Sequence, residues 1–278
     1  MRLAASIAVF LITASLARAW HDEASVQIER INRRIADAPG DAGLYLERAE
    51  LYRQEAVWAR ALADCDRAVE LDPEVRGAEL LRARVRLARG APRAAHVHVE
   101  RHLATNPTDI PAILVRAEIE AALGRPAAAI RDYDRAIELS EAPPPDWYLA
   151  RADQGFARGP RFADETLAAL DGAAERLGYV PTLQERALEL ELGYGRIDQA
   201  LRRVDRLIER APPKESWLCR RGEILLAAQR TEEALEAFTQ ALSHLSRRPA
   251  RRLATPALVA LRERITRGLR AARSAPPQ

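Results

Sequence analysis

Histidine is scarce in this chain, five among 278 residues, and three of the five fall together at His96, His98 and His102. His98 and His102 are four apart, so one helix face could present both imidazoles to a metal ion. No acid or cysteine stands beside them at ligand spacing, and His102 reads as core volume, so the sequence does not complete a metal site. The acids are numerous, but nothing sets two of them around a cleft as an acid–base pair would require. No nucleophile elbow, phosphate loop, metal-protease helix or kinase signature occurs. The residues announce no catalysis and no cofactor.

What recurs is a dipeptide. Arg48-Ala49, Arg82-Ala83, Arg116-Ala117, Arg151-Ala152, Arg186-Ala187 and Arg221-Gly222 follow one another at intervals of 34 or 35 residues. A fixed interval of that length marks a stacked repeat. Each period holds two helical stretches. In the first, Leu44, Leu46, Ala49, Leu51 and Tyr52 precede a break near Glu55. Ala61, Leu62, Cys65, Ala68 and Val69 then run at helical spacing to Asp72-Pro73. Gly90, Gly124, Gly159 and Gly195 punctuate the inner turns of later periods.

These positions resemble the tetratricopeptide repeat, a 34-residue helix–turn–helix unit with small residues where helices cross. Ala49, Tyr52, Ala61, Ala68 and Pro73 take its small, aromatic, small, small and proline places. Ala117, Gly124, Ala129, Tyr133 and Ala136 match in the third period, and Gly222, Ala234, Phe238 and Ala241 in the sixth. His102 departs from the pattern, standing where the second helix carries a small residue. Extra residues occur around Gly159-Pro160-Arg161 and near Gly193 to Gly195. The resemblance implies an all-α, right-handed solenoid of about six repeats, bounded near 42–75, 76–109, 110–143, 145–179, 180–213 and 214–246.

The resemblance further implies that the first helix of each repeat lines a concave, partner-binding surface. Its groove places would be Leu46, Leu80, Leu114, Leu149 and Cys219, followed by Glu50, Arg84, Glu118, Asp153 and Glu223, with Glu189 standing in for the fifth repeat. The family's lysine and asparagine clamp for a terminal carboxylate is missing from these places. A row of acids broken by one arginine suits a basic or mixed-charge ligand. The competing reading is a structural ladder in which each acid pairs with an arginine of the adjoining repeat. The recurring arginine sits where the family more often has leucine, and it must carry its charge to an acid or to water. Asp64 and Asp132 are its natural partners in repeats one and three.

Flanking segments complete the organisation. Residues 1–19 read as a signal peptide: Arg2, an apolar run from Leu3 to Leu16, and Ala17-Arg18-Ala19 as a cleavage site after Ala19. The chain is therefore expected in the periplasm or outside the cell. His21 would then be the second mature residue, where a free amine and an imidazole could share a copper ion. Residues 20–40 are expected as an N-terminal cap with Ile28, Ile31 and Ile35 on one face. Residues 42–246 form the repeat domain, with Pro143-Pro144-Pro145 and Pro212-Pro213 as rigid links between repeats. Residues 247–278 form a C-terminal cap and tail, with Leu258, Leu261, Ile265 and Leu269 as its stripe.

Cys65 and Cys219, lying in the first and last repeats, are expected to stay unpaired. Residues 246–278 carry a net charge of +8 while residues 20–245 carry −7, so the basic end could meet an acidic surface. The expected function is a non-catalytic scaffold binding a peptide or protein, with no nucleic acid partner. The alternative is a membrane-surface or metal-associated envelope protein using the arginine-rich end or His96, His98 and His102.

Overall fold

A computed structural model describes residues 23–210 and 213–274, and among these the regular structure is helical throughout. The expected signal peptide, His21 and the last four residues lie outside the described residues. The chain divides at Pro143/Pro144 into two compact units. One continuous repeat domain was expected over 42–246, with the prolines as a mere link. Pro143, Pro144 and Pro145 stand at that division, and consecutive prolines offer no backbone donors and hold the preceding residue extended, which stops a helix.

The first unit comprises α1 (23–37), α2 (Ala42–Gln54), α3 (Trp58–Leu71), α4 (Ala78–Ala88), α5 (Pro92–Thr105), α6 (Ile110–Ala122) and α7 (Pro126–Leu139). After the cap α1 the helices pair as α2–α3, α4–α5 and α6–α7, and each second helix packs on the next pair's first helix. First helices also touch in succession, α2 with α4 and α4 with α6. The small residues explain how close the helices come. Ala49, Ala61, Ala68, Ala83, Ala95, Ala117, Ala129 and Ala136 are all fully buried. Larger side chains such as Val85, Val99, Ile113 and Ile119 fill the grooves beside them. On α1, Ile31 is buried, while Ile28 and Ile35 pack against the first repeat's core.

The second unit comprises α8 (Pro145–Ala157), α9 (Ala163–Leu177), α10 (Pro181–Gly193), α11 (Ile197–Arg210), α12 (Lys214–Ala227) and α13 (Thr231–Ser246). The short α14 (Ala250–Leu253) and the long α15 (Pro256–Ser274) follow. Pairs α8–α9, α10–α11 and α12–α13 stack in the same way, and α15 closes the unit on α12 and α13. Its stripe of Leu261, Ile265 and Leu269 is buried there, with Leu258 packed alongside. Phe238 of α13 is fully buried and wedged where glycines admit it. A β-carbon on Gly222 would lie 2.8 Å from its ring, and one on Gly268 2.3 Å. Only glycine lets α12 and α15 approach that ring so closely.

Turns inside the repeats share one geometry. After each first helix a residue with positive φ closes the end: Ala56, Gly90, Gly124, Gly195 and Gln229. The next amide then reaches back five residues, as Val57 to Tyr52 at 2.8 Å, Ala91 to Arg86 at 2.8 Å and Arg230 to Leu225 at 2.9 Å. This is the Schellman closure, which satisfies carbonyls that the helix end leaves open. The fourth repeat departs from it. Gly159 leads instead into a single 3-10 turn, Pro160–Phe162, which absorbs the extra residues before α9.

Candidate functional site

Four of the six recurring arginines, Arg48, Arg82, Arg116 and Arg221, form contacts at a spacing of sixteen residues. Arg48 of α2 donates to Asp64 of α3, sixteen residues on, at 2.7 and 2.8 Å, and to Asn32 of α1, sixteen residues back, at 2.8 Å. Arg116 repeats this with Asp132 at 2.6 and 2.9 Å and Glu100 at 3.1 Å. Arg82 reaches back to Asp66 at 2.5 Å and Arg221 to Asp205 at 2.8 Å. Each such arginine ties its own first helix to second helices of its own or the preceding repeat. Two-pronged pairing explains why arginine, with its planar fork, occupies the place.

The candidate binding residues divide between the units. On the first unit's first-helix face stand Leu46, Glu50, Leu80, Arg84, Leu114 and Glu118. Leu80 is buried, at 8% exposed, while Leu46 and Leu114 are half-buried. Burial alone would raise the Glu50 carboxyl, but hydrogen bonds from Arg53 and Gln54 hold it below its usual range. Glu118 reaches solvent, and among the described residues it accepts no hydrogen bond. Desolvation raises its carboxyl pKa, and the Arg84 guanidinium offsets only part of that. Glu118 is thus the acid of this face whose charge is left uncompensated.

On the second unit, Leu149 is half-buried and Asp153 is exposed. Asp153 accepts from Arg186 of the next repeat at 2.5 Å, so here the ladder reading describes the contact. Glu223 takes a two-pronged bond from Arg264 of α15 at 2.8 and 2.9 Å. Cys219 is fully buried; its thiol lies 3.8 Å from Glu223, and its place in the groove is corrected to a place in the core. Beside these residues α10, α12 and α15 enclose a recess of about 330 Å³. Leu188 and Trp217 form its floor, Glu185 and Glu189 one rim, and Ser216, Arg220 and Arg264 the other. Of these, only Glu189 was legible beforehand. Trp217 and Ser216 begin α12, and Arg264 belongs to a helix taken for a cap, with no sequence signal linking it to Glu223 forty-one residues away.

The histidines do not converge. His96 bonds Glu120 at 2.8 Å, His98 bonds Glu79 at 2.8 Å and His102 bonds Asp109 at 2.5 Å. Three separate carboxylates, each brought from another element, consume the imidazoles that a shared metal would need. Among the described residues no group of three or more metal-binding side chains occurs. The His102 side chain is only 10% exposed, and Leu103 beside it is buried. Among the described residues no helix is long and apolar enough to cross a membrane. The stripe of Leu261, Ile265 and Leu269 on α15 is buried against α12 and α13, while Val259 of the same helix is exposed.

No protein-family model and no curated protein matches the sequence. Solved structures do. The chain is similar to a tetratricopeptide repeat protein from Parabacteroides merdae, 18% identical, with a TM-score of 0.53 over 91% of this chain and 94% of that one. It is also similar to the C-terminal part of a TPR repeat-containing protein from Cytophaga hutchinsonii, 12% identical, with a TM-score of 0.63 over 87% and 95% of the two chains. A third is Naa15/Naa10 bound to HypK-THB, 12% identical, with a TM-score of 0.53 over 94% of this chain and 39% of that one. The fold is that of tetratricopeptide repeats.

Proposed function

We propose that this chain is a non-catalytic scaffold that holds a peptide or partner protein on its first-helix faces. The observation that carries the reading is the recess between α10, α12 and α15. It has an aromatic and aliphatic floor under rims of opposite charge, Glu185 and Glu189 facing Arg220 and Arg264. That arrangement orients and discriminates side chains, while it sets no nucleophile beside a base. The Naa15/Naa10 neighbour is itself bound to a further protein, which supports a protein partner. From the apolar run and Ala17-Arg18-Ala19 we further propose export, so the partner would be met in the periplasm or outside the cell.

The test uses the full chain carrying a photo-crosslinkable residue at Ser216 or, separately, at Gln240, which is exposed on the second helix α13. Crosslinks to one defined partner from Ser216 and none from Gln240 are expected. The reverse pattern contradicts the reading. Fractionation of the host cell with an antibody against the chain tests the location; retention in the cytosol contradicts export.

A further inference from the structure

A second recess continues the same face past the Glu223–Arg264 pair. Its volume is about 350 Å³, and Leu226 and Ala227 of α12, Phe238 of α13, and Gly268 and Ala271 of α15 give it apolar walls. It exists because α15 offers only Gly268 and Ala271 to fill the space beyond the point where Phe238 pins the helices together. Arg264 and Arg267 stand on its rim with a single acid, Glu223. Glu223 is already saturated, since Arg264 binds it with two nitrogens and Arg220 approaches at 3.5 Å.

Arg267 forms no ion pair among the described residues, and neither do Arg262, Arg270 and Arg273 on the exposed side of α15. The mouth of an apolar pocket is therefore positively charged, within a wider positive field. Resting on the scaffold reading above, we propose that this recess takes an apolar side chain of an acidic peptide segment. Arg267, whose charge no ion pair among the described residues engages, holds the segment's carboxylates. A basic segment would set a cation against Arg267, a juxtaposition that costs affinity. Lipid fits less well, because Leu261, Ile265 and Leu269 of α15 are buried and Val259 is its one exposed large apolar side chain among the described residues. This occupant differs from the basic or mixed-charge ligand that the acidic row suggested.

The test is fluorescence anisotropy on the full chain with three labelled octapeptides. One is Gly-Ser-Asp-Leu-Phe-Glu-Ser-Gly, one has both acids replaced by lysine, and one has Leu-Phe replaced by Ser-Ser. The first should bind at least about tenfold tighter than either other. Arg267→Glu should weaken the acidic peptide and strengthen the lysine peptide, a charge exchange that loss of folding cannot mimic. Ala227→Met, which fills the recess from a solvent-facing position, should weaken the first peptide without reversing charge preference. Absence of binding by the acidic peptide, equal binding by all three, or indifference to Arg267→Glu overturns the proposal. So does binding of phosphatidylglycerol vesicles that Arg267→Glu abolishes while peptide binding is unchanged. If the proposal fails while Ser216 still crosslinks a partner, the scaffold reading stands and only the occupant of this recess is wrong.

Discussion

At the scale of single residues, charge is used mostly to tie helices together. Arg203 is the extreme case: it and Glu191 are 3% and 4% exposed, and Arg203 also binds Asp171 at 2.6 Å. Arg203→Leu strands the buried Glu191 charge and should cost about 3–5 kcal/mol in chemical denaturation. Adding Glu191→Leu should recover most of that loss. Glu118 has the opposite character. Desolvation raises its folded-state pKa, so its contribution favours folding at low pH and is lost as pH rises through the folded value. Glu118→Gln should therefore raise the melting temperature at pH 7, by less than about 1 kcal/mol in stability, and bring no gain below about pH 4. Cys65 and Cys219 are free and buried, and burial pushes both thiols up to about 12. Both should resist a thiol reagent in the native protein and react together on denaturation. The Arg48–Asp64 and Arg116–Asp132 pairs were legible in the sequence because the repeat sets each arginine and its aspartate on the paired helices of one unit. The partner of Arg203 was not, since nothing in the sequence marks Glu191 as buried.

At the scale of elements, two devices shape each repeat: left-handed closures and glycine contacts. Three of the five Schellman turns use glycine, whereas Ala56 and Gln229 adopt φ of 57° and 63° without it. A side chain there carries a left-handed cost that glycine avoids. Ala56→Gly and Gln229→Gly should each add up to about 1 kcal/mol of stability in thermal unfolding, whereas Gly90→Ala should remove a similar amount. These two turns were invisible to a search for punctuating glycines, although the interval places them with Gly90 and Gly124. The cap helix α15 depends on contact instead. Gly268→Ala would drive a methyl into the Phe238 ring and should cost about 1–3 kcal/mol. Hydrogen exchange should then show α15 amides losing protection before those of α12. Gly268 carried no signal in the sequence, because the ring it accommodates lies on α13.

At the scale of the molecule, six helix pairs and two flanking helices were readable from one interval. A repeat writes its neighbour contacts into the chain at constant spacing. The break into two compact units at Pro143/Pro144 was not so readable, because Pro212-Pro213 shows similar local chemistry without such a division. The binding surface was half legible. The interval selected Glu50, Glu118, Asp153 and Glu223, but Arg53, Arg186 and Arg264 neutralise three of them. The recess at Leu188 and Trp217 came from spatial neighbours instead. The central claim is that a partner protein seats on the first helices and the inner side of α15. Hydrogen exchange of the full chain, free and in complex with the partner captured through Ser216, tests it most directly. Slowed exchange in α10, α12 and α15, with α9, α11 and α13 unchanged, is the result this account predicts. Slowed exchange confined to α9, α11 and α13 would contradict it.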